Sequence, residues 1–231
     1  MIWVIIPAYN EELALPKTLQ SVFQQTEPFR VIVVDGGSTD RTQDLIRRDP
    51  RITALSAPKG RSSQMNAGAH YAKQQQASAE EWLLFLHADT LLPSGAFRDL
   101  QRLQSDPACQ AGGFRHQFSG RDWRLRMISY LDNFRCTRSR IVYGDQAVFV
   151  RQGLFTDLGG FPQQPFLEDV AFGEKLLTRT TPRLLPLTVI TDSRKFIKMG
   201  IWRSFLRVLM IILHVEYGFR TFRPAFFQDV R

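Results

Sequence analysis

Two of the most apolar runs in the chain lead into aspartates. Val31-Ile32-Val33-Val34 ends in Asp35, with Gly36-Gly37-Ser38-Thr39-Asp40 behind it, and Trp82-Leu83-Leu84-Phe85-Leu86 leads through His87 and Ala88 to Asp89. Carboxylates delivered at strand ends suit Mg²⁺ or Mn²⁺, which take one or two protein carboxylates and leave other positions to phosphate oxygens. Asp89 is the better ligand candidate, because it closes its strand and points into a crevice. Two-residue alternation puts His87 on the same side, in a packing or outer-shell role. Asp40 reads as a helix cap, with Gln43 as its partner three residues on. Glu168-Asp169 forms a second acidic focus at an expected helix start, where the macrodipole favours acids. Adjacent carboxylates cannot face one way, so one of them can anchor the helix while the other acts as general base for a hydroxyl. Gly60-Arg61-Ser62-Ser63-Gln64-Met65-Asn66-Ala67-Gly68 joins a strand to a helix, where backbone amides and Arg61 would hold an anion. It is neither a Walker loop nor a dinucleotide fingerprint, which argues against a P-loop enzyme and a Rossmann dehydrogenase.

Apolar spacing indicates the elements that must place these groups. Ile2 to Ile6 reads as a strand, followed by the loop Pro7-Ala8-Tyr9-Asn10-Glu11-Glu12 and a helix carrying Leu15, Leu19, Val22 and Phe23, with Pro16 in its first turn. With a strand at Ile52 to Leu55 and a helix running to Ala72, the first half reads βαβαβαβ. Strands apolar throughout belong to a parallel sheet covered on both faces, and open α/β sheets bind ligands at the strands' carboxyl ends. Past residue 90 the reading is a helix near Ser94 to Gln104, a strand at Ala111 to Phe118 and a basic amphipathic stretch from Asp122 to Phe134. Strand-like Ala147 to Val150, a Gly159-Gly160-Phe161-Pro162 turn, a helix from Glu168 to Leu177 and a last strand at Leu185 to Ile190 follow. Gln74-Gln75-Gln76 reads as a helix end.

The chain has 231 residues, 44% of them hydrophobic and 23% charged, which fits one substantial core. Its net charge of +8 is concentrated after residue 110 and suits an anionic partner: nucleic acid, lipid or a phosphorylated substrate. Cys109 and Cys136 make no metal or disulfide pattern, and Met1 is followed at once by an apolar strand. The expectation is a cytoplasmic protein without a signal peptide. The tail from Gly200 to Phe219 reads as a helix with Arg203, Arg207 and His214 on one stripe and an apolar centre from Val208 to Leu213. Ile201 to Val215 would span about 22 Å, short of the roughly 30 Å hydrocarbon core. Lying in a membrane interface and packing as a core or dimer helix are equally compatible with it.

These segments together resemble a family 2 glycosyltransferase of the GT-A fold. The matching pieces, in order, are Ile5 to Glu12, Val33 to Asp40, Gly60 to Gly68, Leu86-His87-Ala88-Asp89-Thr90, Gly159-Gly160-Phe161 and Leu167-Glu168-Asp169-Val170. A small single-domain branch with His-Ala-Asp-Thr and Tyr143-Gly144-Asp145-Gln146 is the nearest likeness. The resemblance implies an α/β fold with a mostly parallel central sheet, helices on both faces and a C-terminal amphipathic helix. It divides the chain into a catalytic domain at 1–198 and a tail at 199–231. It implies that Pro7, Tyr9 and Glu11 line the nucleotide pocket, that Asp35 bonds the base (usually uracil), and that Arg61 and Asn66 sit near the diphosphate. His87 and Ala88 would also face the donor. Asp89 would match the metal ligand, for Mg²⁺ or Mn²⁺, and Asp169 the catalytic base. Ser193-Arg194-Lys195-Phe196 is similar to the segment that closes over the diphosphate, with Arg194 as its cation. Asp145, Gln146, Gly160, Phe161 and Glu168 would lie at the acceptor or sugar pocket.

Two departures shape the expectation. His87 stands where many members carry an aspartate, and the Gln-x-x-Arg-Trp motif of processive members is absent. The reading is therefore inverting transfer of one sugar from a nucleoside diphosphate sugar to a hydroxyl acceptor, lipid or otherwise amphipathic, with peripheral membrane contact and no nucleic acid. The alternatives are a sugar-1-phosphate nucleotidyltransferase, which would want a glycine-rich basic loop after the first strand, and a basic non-catalytic membrane or nucleic-acid binder. The second leaves the strand-end acids without a purpose.

Overall fold

The computed structural model describes residues 1–164, 167–206 and 209–210. Its strands are β1 (Ile2–Ala8), β2 (Phe29–Asp35), β3 (Ile52–Ser56), β4 (Trp82–Phe85), β5 (Thr90–Leu91), β6 (Ala111–Phe118), β7 (Phe149–Arg151) and β8 (Arg183–Thr191). Its helices are α1 (Leu15–Phe23), α2 (Thr42–Arg48), α3 (Arg61–Gln74), α4 (Ala96–Leu103), α5 (Trp123–Ser139), α6 (Gln152–Asp157), α7 (Glu168–Leu177) and α8 (Arg194–Lys198), with a 3₁₀ turn at Gly144–Gln146. Among the described residues the strands form one sheet in the order β3-β2-β1-β4-β7-β6-β8-β5.

β1, β2, β3 and β4 run parallel, whereas β7 is antiparallel to both β4 and β6. Every residue of β1 and β4 is buried, as strands covered on both faces require. Val4, Ile6 and Ala8 face a core with α1 and Phe97 of α4, while Trp3 and Ile5 face a core with Met65 and Ala69 of α3. Gly68 lets α3 lie against the sheet, since a Cβ there would come within 2.5 Å of Ile5. This mixed α/β architecture is the one expected. The parallel set also ends with Ala8 beside Asp35, at one edge of the molecule.

Several local expectations need correction. β4 stops at Phe85, so His87, Ala88 and Asp89 lie in a turn, with Thr90 N donating to His87 O (3.1 Å), and strand alternation does not aim them. Asp40 and Gln43 do not form a capping box. Asp40 accepts from the amides of Thr42 and Glu12, and Gln43 turns back to Asp35 and Ser38. Helix α6, six residues long, was not read from the sequence, and α5 runs one turn past Phe134. Residues 201–206 are helical, and Ile201 packs with Phe118, Leu125 and Ile128 of β6 and α5. Arg207, Val208 and His214, on which the amphipathic reading of the tail leaned, lie outside the described residues. No helix among the described residues is long and apolar enough to cross a membrane.

Candidate active site

A cleft of about 630 Å³, counting the space open to solvent, lies at the carboxyl end of β1. Pro7 and Ala8 line it from the end of β1, Tyr9 and Glu11 from the loop that follows, and His87, Ala88 and Asp89 from the turn after β4. Lys59, Gly60, Arg61 and Gln64 line it from the start of α3, and Lys195 from α8. The chain builds this arrangement by tying loops to one another. Asn10 N donates to Ser38 Oγ (2.9 Å), Thr39 N to Asn10 Oδ1 (2.8 Å), Glu11 N to Thr42 Oγ1 (2.8 Å) and Glu12 N to Asp40 Oδ2 (3.1 Å). Ser38, Thr39 and Asp40 thus act as a clamp that holds the Tyr9–Glu12 loop open beside β1.

Lys195 reaches the cleft because β5 pairs with β8. Thr90 lies opposite Thr191, and Asp192 N donates to Asp89 O (2.9 Å), which lays the next residues over the Asp89 turn. Lys195 Nζ then donates to Glu11 Oε1 (2.5 Å) and lies 3.5 Å from Asp89 Oδ2. Burial acts to lower the Lys195 pKa, but Asp89 and the bond to Glu11 outweigh it and the pKa is raised. Burial raises Glu11 above the ordinary carboxylate value, against the pull of Lys195. The mouth of the cleft carries a further cation, Lys59, 3.8 Å from the centre of the Tyr9 ring. α3 begins with no side-chain cap, behind Gly60 at φ 143°, a conformation only glycine enters readily.

Asp169 stands beside the cleft rather than on its lining. Leu167, in the left-handed region at φ 61°, turns the chain into α7, with Glu168 buried and Asp169 half-buried. Asp169 Oδ2 accepts from Gly144 N (2.8 Å), and Asp169 Oδ1 from Val170 N (2.9 Å). His87 reaches the same spot: a Cβ on Gly144 would lie 2.8 Å from His87 Nε2 and 3.3 Å from Asp169 Oδ2. Gly144 therefore makes room for both side chains. Burial, then the Glu168 charge, raises the Asp169 pKa, while the Gly144 amide and Arg61 oppose the rise. The Arg61 charge, on the cleft lining, is felt by Lys195 as well as by Asp169.

Other residues singled out from the sequence have different surroundings. Asp35 is buried behind the cleft, where its carboxylate accepts from Gly37 N, Ser38 N and Gln43 Nε2 and shapes its own loop. Asn66 spends its amide on Phe161, accepting from the Phe161 N–H (2.9 Å) and donating to its carbonyl (2.8 Å). Phe161 is core, packed edge-on to Phe85 and tilted against Phe172, and Gly160 fits at φ 71° against Asn66. Arg194 turns to Asp192, so Lys195 is the cation this segment gives the cleft. Gln146 is buried and caps its own 3₁₀ turn through Tyr143, and Asp145 faces His116. Lys59 and Gln64 were not singled out. Gln64 donates to Ala8 O and Val34 O, bridging β1 and β2, a role no motif announces.

Comparison with known proteins points one way. The family model described as glycosyl transferase family 2 matches residues 3–160. A PGL/p-HBAD biosynthesis glycosyltransferase of Mycobacterium bovis (strain BCG / Pasteur 1173P2) is 29% identical over 178 residues, covering 70% of this chain and 63% of that protein. The O-antigen chain rhamnosyltransferase RfbN of Salmonella typhimurium is 29% identical over 196 residues, covering 76% of this chain and 60% of its own length. The chain thus spans less than two thirds of these curated relatives. Among solved structures, the mannosyltransferase PcManGT of Pyrobaculum calidifontis, in complex with GDP-Man and Mn²⁺, superposes with a TM-score of 0.68 at 21% identity, covering 99% of this chain and 67% of that one. S. aureus TarS 1-349 in complex with UDP-GlcNAc gives 0.64 at 19% identity, covering 99% and 70%.

Proposed function

The chain belongs to glycosyl transferase family 2, and from that premise we propose that it moves one sugar, with inversion, from a nucleoside diphosphate donor to an acceptor hydroxyl. The observation that carries this reading is the arrangement of charge around the cleft. Glu11 and Asp89 face Lys195 and Arg61 at the carboxyl ends of β1 and β4, and Asp169 stands across His87 and Gly144. Basic groups there suit a diphosphate, and Asp169 suits the position of a base. UDP is the family expectation for the nucleotide, with Tyr9 and Lys59 at its mouth of the cleft.

Asp89 and Glu11 fit a divalent cation, because the two carboxylates already share one positive charge, the Lys195 ammonium. Asp89 would hold Mg²⁺ or Mn²⁺, which would supply charge stabilisation to the departing diphosphate. The remaining steps belong to the chain. Asp169 takes the proton of the acceptor hydroxyl, whose oxygen forms a bond to the anomeric carbon. The bond from that carbon to the diphosphate oxygen breaks on the opposite face, and its electron pair leaves with the nucleotide. Arg61 and Lys195 hold the charge that develops there. Burial, reinforced by the neighbouring Glu168 charge, keeps the base's proton affinity above that of an ordinary carboxylate.

A bound cation would compete with Lys195 for Glu11 and Asp89, so donor and metal should draw the ammonium from the carboxylates to the diphosphate. Lys195→Gln should accordingly bind Mn²⁺ alone about tenfold more tightly than wild type, since no ammonium competes, yet turn over its donor more slowly. Calorimetry with Mn²⁺ and a turnover assay read the two halves. Tighter metal binding with unchanged turnover would remove Lys195 from the reaction.

An amphipathic acceptor, met at the cytoplasmic face of a membrane, is supported by the surface of α5 and of the helical residues 201–206. Trp123, Tyr130, Phe134, Trp202 and Leu206 are each at least half exposed, and Trp123 and Trp202 lie 6.3 Å apart. Arg121, Arg126 and Arg203 flank them, a mixture suited to anionic lipid. The tail at 199–231 would be the element that meets it. The test of the whole reading is a panel of nucleoside diphosphate sugars incubated with the chain, Mn²⁺ and a lipid extract. Release of free nucleoside diphosphate with a labelled glycolipid is expected. Pyrophosphate released from a nucleoside triphosphate and a sugar-1-phosphate would mark a nucleotidyltransferase instead.

A further inference from the structure

Buried polar atoms without a hydrogen-bond partner among the described residues are concentrated in one place. His116 Nδ1 and Nε2, Arg135 Nε and Gln146 Nε2 belong to β6, α5 and the 3₁₀ turn that join behind Asp169. Arg135 and Gln146 offer N–H donors, which cannot meet a cation, but native interiors pair buried imidazoles, so a ring with neither nitrogen bonded points to a bound species. The alternation of β6 past its bulge puts His116 inside, with Arg115 and Gln117 exposed on either side. The ring is buried and stacked edge-on to Phe118.

Two carboxylates face it. Asp132 Oδ2, from α5, lies 3.9 Å from His116 Nδ1, and Asp145 Oδ2, from the 3₁₀ turn, lies 3.7 Å from His116 Nε2. Both separations are too long for hydrogen bonds. One ligand atom from each of the three residues lies within 4.8 Å of the others. Arg135, 3.6 Å from Asp132 Oδ1, engages the oxygen turned away from the ring. Burial, followed by the charge of Asp145, pushes Asp132 up to about 6, against the pull of Arg135 and His116.

We propose that His116, Asp132 and Asp145 form a second divalent-cation site, distinct from Asp89 and suited to a transition-metal ion such as Zn²⁺ or Mn²⁺. The imidazole is what selects this class, since Mg²⁺ and Ca²⁺ prefer oxygen alone. At metal–ligand distances of about 2.0–2.2 Å the carboxylates need to close in by about 1 Å, within the reach of side-chain rotation. One ring nitrogen meets the ion, and the other is left with its N–H, which metal-bound histidines commonly donate to an oxygen outside the coordination shell. Asp145 is one-third exposed, which gives the ion a way in. The site would pin the Gly144–Gln146 turn to β6 and α5, and Gly144 is the residue whose amide holds Asp169. It stands on its own residues and does not depend on the nucleotide reading.

The test uses the full chain, stripped of metal and carrying Asp89→Asn to silence the cleft. Titrated with Zn²⁺ alone, this protein should take up one equivalent. Adding Asp145→Asn or His116→Gln should weaken uptake more than about tenfold. The Co²⁺-loaded protein should show a visible absorption band that either change removes. Asp145→Asn is the milder variant and should keep the parent's melting temperature, so its result stands if His116→Gln does not fold. No uptake by the Asp89→Asn protein, or uptake undiminished by Asp145→Asn, would overturn the site and leave His116 packed between two carboxylates with no ion.

Discussion

Asp169→Asn is expected to cut sugar transfer by about 10²–10⁴-fold, the contribution of a positioned base, while leaving nucleotide binding as it was. Asparagine keeps the shape and can still accept from the Gly144 amide, so the turn that carries Asp145 stays in place. What it cannot do is take a proton from the acceptor. Stability supplies an independent check. Because burial and Glu168 raise the Asp169 pKa in the folded state, its contribution favours folding below the ordinary carboxylate range and is lost as pH rises through the raised value. The charged form is therefore a burden at neutral pH that asparagine removes. The variant should melt at or above the wild-type temperature near pH 7, with the advantage shrinking as the pH falls toward 4. An inactive variant that is also markedly less stable would point to a structural role for Asp169. Unchanged turnover would end its assignment as base.

Asp89→Asn should be nearly as damaging, at about 10²-fold or more in turnover, but by a different route. It removes the carboxylate that holds the cation while leaving the Ala8–Asp35 end of the sheet intact. Nucleoside diphosphate should then bind equally well with and without Mn²⁺. In the absence of metal it should bind no worse than to wild type, since one negative charge facing the diphosphate is gone and Lys195 has one competitor fewer. Calorimetry in the presence of chelator, and again with Mn²⁺, separates these effects. A variant that still gains affinity from Mn²⁺ would place the donor's metal on other ligands.

Legibility in the sequence followed the range of the interactions. Wholly apolar runs gave β1, β2 and β4, and β6 and α7 matched their expected bounds, because burial on both faces or a clear periodicity is a local signal. The six-residue α6 was missed because one turn and a half carries too little periodicity. Side-chain roles were harder. Asp40, read as a helix cap, instead joins Ser38 and Thr39 in a clamp on the Tyr9–Glu12 loop, a pairing across about 30 residues that spacing cannot reveal. Asn66 and Phe161, 95 residues apart, meet for the same kind of reason. The choice of Lys195 over Arg194 depended on which residue Asp192 would occupy. The His116 cluster draws one residue each from a strand, a helix and a turn, so only the tertiary structure brings it together.

The most direct measurement is a titration of the wild-type chain with UDP, GDP and their monophosphates, in chelator and in Mn²⁺. A cleft lined by Arg61, Lys195 and Asp89 should take one nucleoside diphosphate per chain, at least about tenfold more tightly with Mn²⁺, and prefer it to the monophosphate. Failure of every nucleoside diphosphate to bind when Mn²⁺ is present would contradict the account.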